Sequence, residues 1–90
     1  MEALKVRLER VLRELPDGQT HLEELPNGHV CGHVISSAFE DRDYEDRRKM
    51  IRQKLDEALA ANRLRYEDMT LISTLLTYTP EEWAVNPIEQ

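Results

Sequence analysis

The chain has 90 residues, of which 40% are hydrophobic and 33% charged, and its formal net charge is −6 at pH 7. A chain of this length builds one modest core, so we predict a single domain over residues 1–90. The composition excludes a membrane-spanning helix, since no run of about eighteen apolar residues occurs. The acidic balance counts against binding that rests on neutralising phosphates. A single cysteine and the lack of a basic, apolar leader predict a cytoplasmic protein.

The first half of the chain predicts a helix followed by a β-hairpin. Apolar residues recur at helical spacing over residues 3–15, and the Pro-Asp-Gly at 16–18 ends that helix because proline cannot continue the ladder. Two short segments follow at 19–25 and 29–37, joined by the Pro-Asn-Gly at 26–28. Asn-Gly favours a tight hairpin, since both residues tolerate positive φ. We therefore predict two antiparallel strands here.

A long helix is predicted next, ending at about residue 61. Its inner face is expected to hold Tyr44, Ile51 and Leu55, which recur at helical spacing. Asn62 follows, and asparagine can adopt the left-handed conformation that ends many helices. We therefore expect the helix to stop at this asparagine.

The last quarter of the chain predicts a strand and a short helix. Residues 69–77 are rich in Thr, Ile and Leu, which favours a strand. Thr79, a proline directly after it and Glu82 three residues on form the pattern of a capping box at a helix start. Trp83 lies in that last helix, and residues 85–90 are expected to be a loose tail.

Together these elements predict an α+β fold of the αββαβ(α) type. A hairpin followed by a helical crossover to a third strand favours a three-stranded mixed sheet with the helices on one face. The opposite face of so small a sheet is left partly open. We expect a partner to bind on that open face.

Three potential metal ligands, His29, Cys31 and His33, alternate along the second strand and so share one face. Imidazole and thiolate suit iron–sulfur clusters, zinc or copper, and His21 in the first strand can join them. Ligands on one straight strand diverge unless Gly32 bulges the backbone. Two interpretations stay open: a metal site at His29 and Cys31, and half-buried histidines beside an inert thiol.

A basic cluster opens the long helix. It follows an acidic run over residues 40–46, and acids early with bases late complement the dipole of one helix. The cluster is therefore either a solvated helix face or a surface that contacts a partner. Its members in the second case are Arg47, Arg48, Lys49 and Arg52.

No pattern in the sequence indicates catalysis. A thiol nucleophile needs a helix N-terminus or a fixed base, and Cys31 lies inside a strand. The carboxylates alternate with bases on helix surfaces, which is typical of soluble helices and not of a tuned acid–base pair. Gly28 and Gly32 are too isolated to form a phosphate-binding loop. We predict that the protein is not an enzyme and that it binds no cofactor alone.

Three stretches in the correct order resemble the BolA family. Residues 28–39 contain Gly-His-Val and end in Val-Ile-Ser-Ser-Ala-Phe, like the second strand of the family. Residues 47–51 read Arg-Arg-Lys-Met-Ile, where the family has Arg-His-Arg and an apolar residue. Residues 77–83 read Thr-Tyr-Thr-Pro-Glu-Glu-Trp, which is similar to the family's C-terminal Thr-Pro-x-x-Trp signature.

The resemblance implies a fold and a function. BolA proteins have the αββαβ fold, related to the second class of KH domains, and are understood to share a [2Fe–2S] cluster with a monothiol glutaredoxin. By resemblance the chain acts with such a glutaredoxin in iron–sulfur cluster trafficking or in iron and redox regulation. His29 occupies the loop that supplies one cluster ligand, and the segment from Arg47 to Arg52 would contact the partner. The expected state is a monomer or a homodimer.

Three positions depart from the family pattern. The family's third-strand histidine, a cluster ligand, falls on Leu71, its helix histidine on Arg48, and a glycine after the second strand on Asp41. Leucine cannot ligate a metal, which opens the alternative of an interaction adaptor that has lost the cluster and uses Leu71 as an apolar contact. A third interpretation is a KH-like nucleic-acid-binding regulator of transcription, to which the acidic composition gives the lowest rank.

Overall fold

The computed structural model describes residues 3–85 and confirms the αββαβ(α) order, with one additional α-helix before the third strand. Residues 86–90 of the predicted loose tail lie outside the described residues, and Val85 closes the last helix. Within residues 3–85, no helix combines the length and the apolar character that crossing a bilayer requires. The elements are α1 (Leu4–Leu12), β1 (Gln19–Glu24), β2 (Val30–Ile35), α2 (Tyr44–Ala60), α3 (Tyr66–Leu71), β3 (Ile72–Tyr78) and α4 (Pro80–Val85).

The three strands form one mixed sheet in the order β1-β2-β3, as predicted. β1 and β2 are antiparallel and pair from Gln19 with Ile35 to Glu24 with Val30. β2 and β3 are parallel, joined by the α2 crossover, and their register shifts by one residue between Val30 and Gly32. The central position of β2 means that only β1 and β3 have a free edge.

The core lies between one face of the sheet and the helices. Val30 and Val34 of β2 point into it and are fully buried, which confirms the predicted alternation of this strand. Tyr44, predicted to face inward from α2, is instead 59% exposed because it lies in the first turn, at the sheet edge. Residues from α1 and α2 complete the core together with Phe39 after β2: Leu8, Val11, Leu12, Ile51, Leu55 and Ala58.

The predicted third strand begins too early. Residues 69–71 belong to α3, and β3 starts at Ile72. The carboxylate of Asp68 accepts a hydrogen bond from the backbone N–H of Arg65 at 2.9 Å and pairs with the guanidinium of Arg7, which stabilises this short helix at its N-terminus. Leu71 is therefore the last residue of α3 and not a strand residue.

Gly32 lies where the backbone of β1 approaches β2 too closely for a side chain. Its φ is +149°, a conformation that residues with a Cβ rarely adopt. A Cβ here would collide with the carbonyl of His21 and lie 2.8 Å from the Cα of Leu22 on β1. The register shift lies beside Gly32, but its extra residue is on β3, so Gly32 does not bulge β2 in the way that would bring the ligands of that strand together.

Candidate partner-binding site

The parallel pairing of β2 and β3 brings together the two positions that the BolA resemblance connects with a cluster. Val30 and Ile72 are Cα partners at one end of the sheet. His29 precedes Val30 after the hairpin turn, and Leu71, the last residue of α3, precedes Ile72, so the two positions enter the sheet at the same end. Both side chains are half-buried. This pair supplies one imidazole and one alkyl side chain, and so one possible metal ligand in place of two.

The local backbone fixes the approach of His29 to β2. Gly28 has φ +87°, as the Asn-Gly turn predicts, and the Asn27 Oδ1 accepts a hydrogen bond from the His29 backbone N–H at 3.1 Å. The His29 carbonyl in turn accepts from the Leu25 N–H at 2.7 Å, which closes the hairpin. The imidazole is thus carried on an ordered turn.

The sheet face opposite the core carries neither α1 nor α2, and we call it the helix-free face. Cys31, the other predicted ligand, is a free and half-buried thiol on this face, since it alternates with the buried Val30. Its cross-strand neighbour is Glu23 of β1. Residues two apart on a strand lie about 7 Å apart, so Cys31 flanks His29 without stacking on it. Among residues 3–85, no three His, Cys, Asp or Glu side chains are grouped closely enough to hold a metal ion. A metal site at His29 and Cys31 stays a prediction.

The other two histidines belong to an aromatic cluster, here called the Trp83 cluster, made of His21, His33, Tyr78 and Trp83. The His21 ring stacks on Trp83 with centroids 4.9 Å apart, and the His33 ring lies 5.3 Å from the same indole. Tyr78 meets Trp83 edge-on at 5.3 Å. Trp83 of α4 thus covers one end of the helix-free face, and His33 packs against it there, on the same face as His29 but at the other end.

Arg47 is an internal clamp. Its side chain is only 13% exposed, and its Nε donates to the carbonyls of Phe39 at 3.1 Å and Arg42 at 3.0 Å. Its two terminal nitrogens form a bidentate pair with Glu82, at 2.9 and 3.1 Å, which ties α2 to α4. The role of Arg47 in partner contact stays a prediction, but its donors are already engaged within the chain.

The Thr79 capping box is confirmed. The Thr79 N–H donates to Glu82 Oε1 at 2.9 Å, and the Glu82 N–H donates to Thr79 Oγ1 at 3.0 Å. Glu82 therefore serves both the helix cap and the Arg47 clamp. The guanidinium of Arg47 and the backbone N–H of Thr79 lower the pKa of the Glu82 carboxyl.

The remaining members of the predicted basic cluster are exposed. Arg48 lies over the ring of Tyr44 at 5.7 Å, and Lys49 is open to solvent. Arg52 forms a 3.4 Å pair with Asp56 one turn later, with both side chains more than half exposed. Exposed pairs of this kind are weak, so these three cations remain accessible to a partner.

A hollow of about 380 Å³ separates α2 from β3. Arg48 and Arg52 stand at its rim, and Ser73 of β3 is exposed beside them. Its apolar lining comes from the side chains that complete the edge of the core: Ile51, Leu55, Met69, Ile72 and Leu75.

A second hollow of about 360 Å³ continues along β3 toward its C-terminal end. Tyr44 and Leu76, which are 59% and 39% exposed, both line it. Arg42 adds a cation, and Arg47, Thr77 and Tyr78 complete the lining. We call the accessible residues of the two hollows the β3-edge surface: Arg42, Tyr44, Arg48, Arg52, Met69, Ile72, Ser73, Leu75, Leu76 and Thr77.

The carboxyls with a shifted pKa are structural. Arg63 and Lys54 pair with Glu14 and hold the pKa of its carboxyl at about 2. These ion pairs tie the end of α1 to α2 and to the segment after α2. Arg7 lowers the pKa of Asp68. Each shift stabilises the charged form through a neighbouring cation, which is the opposite of the raised pKa that a general acid requires.

Comparison with known proteins supports the same architecture. No protein-family model and no curated protein matches the sequence. Among solved structures, the crystal structure of a Bol-like protein from Babesia bovis aligns with 90% of this chain and 90% of its own, with a TM-score of 0.60 and 23% sequence identity. The chain therefore has the fold of a BolA-like protein.

Proposed function

We propose that this protein is a non-enzymatic binding module that acts with a monothiol glutaredoxin in iron–sulfur cluster trafficking or in iron and redox regulation. The observation that carries the proposal is the position of His29. Its support is the pairing of Val30 with Ile72, since His29 directly precedes the first of these residues and Leu71, the position of the second histidine in the BolA resemblance, directly precedes the other. In the proposed complex His29 is the ligand that this chain offers to a shared [2Fe–2S] cluster, and the thiol of Cys31 lies next along the same face.

A second candidate function is an adaptor that binds a protein without a cluster. Leu71 favours it, because a half-buried leucine at the position of the second histidine replaces a ligand with an apolar contact. The accessible arginines of the β3-edge surface suit protein contact with or without a metal. The two candidates share a binding surface and differ only in whether iron is bound.

Titration of a purified monothiol glutaredoxin that carries its [2Fe–2S] cluster separates these candidates. We expect a complex with this chain and a change in the visible circular dichroism of the cluster. His29→Ala should remove most of the spectral change, and Leu71→His should enlarge it by restoring a second imidazole. His21→Ala is the matched control, since its ring stacks on Trp83 at the other end of the helix-free face.

Each result has one interpretation. Binding with an unchanged spectrum in the native chain would select the adaptor. Absence of binding to both the cluster-loaded and the cluster-free glutaredoxin would reject the partnership. Binding to a DNA oligonucleotide that weakens steeply with salt would instead select the nucleic-acid-binding interpretation.

A further inference from the structure

The free edge of β3 has backbone groups available for pairing. β3 is a terminal strand of the sheet, and within residues 3–85 no strand lies beyond it. The Tyr78 carbonyl accepts from the Ser36 N–H at 3.0 Å, on the β2 side. Backbone groups alternate in direction along a strand, so those of Leu75 and Thr77 point outward. The Thr77 carbonyl accepts a hydrogen bond from Arg47 Nη1 at 3.5 Å. The N–H and carbonyl of Leu75 therefore lie at the open edge.

The charge of the β3-edge surface is opposite to that of the chain. The protein carries 18 acidic and 12 basic side chains, yet the described residues that line the two hollows include four arginines and no carboxylate. Arg47 is paired with Glu82, while Arg42, Arg48 and Arg52 are exposed. A local excess of one charge in a chain of the other sign attracts a partner of complementary charge.

Apolar side chains line the same two hollows as these cations. Leu76 and Tyr44 are exposed, and Ile72 and Leu75 are only partly covered by α2. A strand added beside β3 would bury such side chains and pair with the backbone of Leu75 at the same time. The surface therefore combines the two features of sites that bind an extended peptide: an open strand edge and apolar hollows beside it.

We propose that the β3-edge surface binds an extended acidic segment of a partner protein, which adds as a fourth strand beside β3. Acidic side chains of the segment pair with Arg42, Arg48 and Arg52, and its apolar side chains enter the two hollows. This inference rests on the proposed function, because it names the chemistry of the partner segment that the module recognises.

The other free edge has the wrong charge for the same ligand. β1 exposes Glu23 and Glu24, so an acidic strand is repelled there. A single strand of nucleic acid matches the arginines, but its backbone offers phosphate acceptors without the alternating N–H donors that pairing with a strand edge requires. Both observations favour an acidic peptide on β3.

The test uses fluorescein-labelled peptides of ten residues in which Val alternates with Glu or, in the matched control, with Lys. Fluorescence anisotropy should show the Glu peptide binding at least tenfold more tightly than the Lys peptide, with an affinity that falls as salt rises. Arg48→Glu should weaken binding of the Glu peptide at least tenfold. Arg13→Glu, an equal charge reversal at an exposed position after α1, should change it less than twofold.

Backbone pairing is measured separately. Hydrogen exchange at the Leu75 amide should slow on addition of the Glu peptide, and a peptide with N-methylated backbone at alternate residues should neither bind nor slow it. Equal binding of the two peptides, unchanged exchange at Leu75, or tighter binding of a poly-dT oligonucleotide would overturn the inference. Self-association of the chain through β3, seen by sedimentation and abolished by Arg48→Glu, would also overturn it by assigning the edge to a second copy.

The glutaredoxin titration keeps the two proposals apart. If the Glu peptide fails to bind while cluster-loaded glutaredoxin still forms a complex, the β3-edge inference alone is wrong. If the peptide binds and glutaredoxin does not, the proposed partner is wrong, and the inference that the β3-edge surface binds an acidic segment stands.

Discussion

Two regions around β3 differ in whether their polar and aromatic groups are bound within the chain: the C-terminal end of the strand and its free edge. At the C-terminal end, Trp83 stacks on the histidines of β1 and β2, and Arg47 is bound by Glu82 and by backbone carbonyls. Beside the free edge, Arg48 of α2 directly follows Arg47 in the sequence. It has no carboxylate partner among residues 3–85. Neighbours in sequence thus have opposite roles, because α2 turns one guanidinium toward α4 and the other toward solvent.

The difference separates residues that stabilise the fold from residues that are available to a partner. Groups that the fold itself satisfies, such as Arg47 and the Trp83 cluster, contribute to stability and offer little to a partner. Groups left open on a strand edge contribute little to stability and are available for binding. Substitutions that act on one set should therefore leave the other nearly unchanged.

The largest expected effect is a test of the sheet on which both regions depend. Gly32→Ala should lower the free energy of unfolding by about 3 kcal/mol or more, because the added Cβ meets the backbone of β1 at a φ of +149°. Urea unfolding measures it. Gly28→Ala is the matched control: its φ is +87° but nothing lies within 4 Å, so only about 1 kcal/mol is expected. Equal losses would contradict the close approach of β1 to Gly32.

The second prediction separates the two adjacent arginines. Arg47→Ala should lower the free energy of unfolding by about 2 kcal/mol, since it removes the guanidinium from the Arg42 carbonyl and breaks the bidentate pair with the Glu82 carboxylate. Arg48→Ala should change it by less than about 0.5 kcal/mol. Thermal and urea unfolding of both variants provide the measurement. A larger loss for Arg48 would reverse the assignment of clamp and contact residue.

Acid should weaken the ion pairs that hold the helices together. The pKa of Glu14 is about 2, and those of Asp68 and Glu82 are also lowered by Arg7 and Arg47. Because the pKa of each carboxyl is lower in the folded state, its ion pair stabilises the fold fully above the unfolded-state pKa, near 4.5 for Glu. That stabilisation is lost as the pH falls toward the folded-state pKa. The urea midpoint should therefore decrease from about pH 5 to about pH 2. Glu14→Gln should flatten part of that decrease, and a midpoint constant over this range would disprove the ionic contribution.

The smallest expected effect is a gain in stability at Asp41. This residue has φ +61°, in the left-handed region, at the position where the BolA resemblance places glycine. Asp41→Gly should raise the free energy of unfolding by about 0.5 kcal/mol by relieving the Cβ contact. Asp41→Ala keeps a Cβ without the local polarity of aspartate and should lower stability by a similar amount. Loss of stability in the glycine variant would show that the Asp41 side chain itself matters.

Local patterns predicted much of this fold. The capping box of Thr79 and Glu82, the turn at Gly28 and the left-handed Asn62 after α2, with φ +62°, all follow from interactions within a few residues. The inward valines of β2 follow from the period of a strand. The short helix α3 was missed because its Thr-Leu-Ile end favours a strand, and its cap depends on Arg7, 61 residues away from Asp68.

The sequence alone determined the order of elements, the inward face of β2 and the position of the last helix, because each depends on neighbours along the chain. Only the folded chain shows which of the two adjacent arginines is internal, that Trp83 of α4 covers the histidines of β1 and β2, and that His29 and Leu71 precede paired strand residues at the same end of the sheet. Each of these depends on strand register and on the crossover of α2, which bring together residues 30 or more positions apart. Long-range pairing of this kind leaves no local pattern to read.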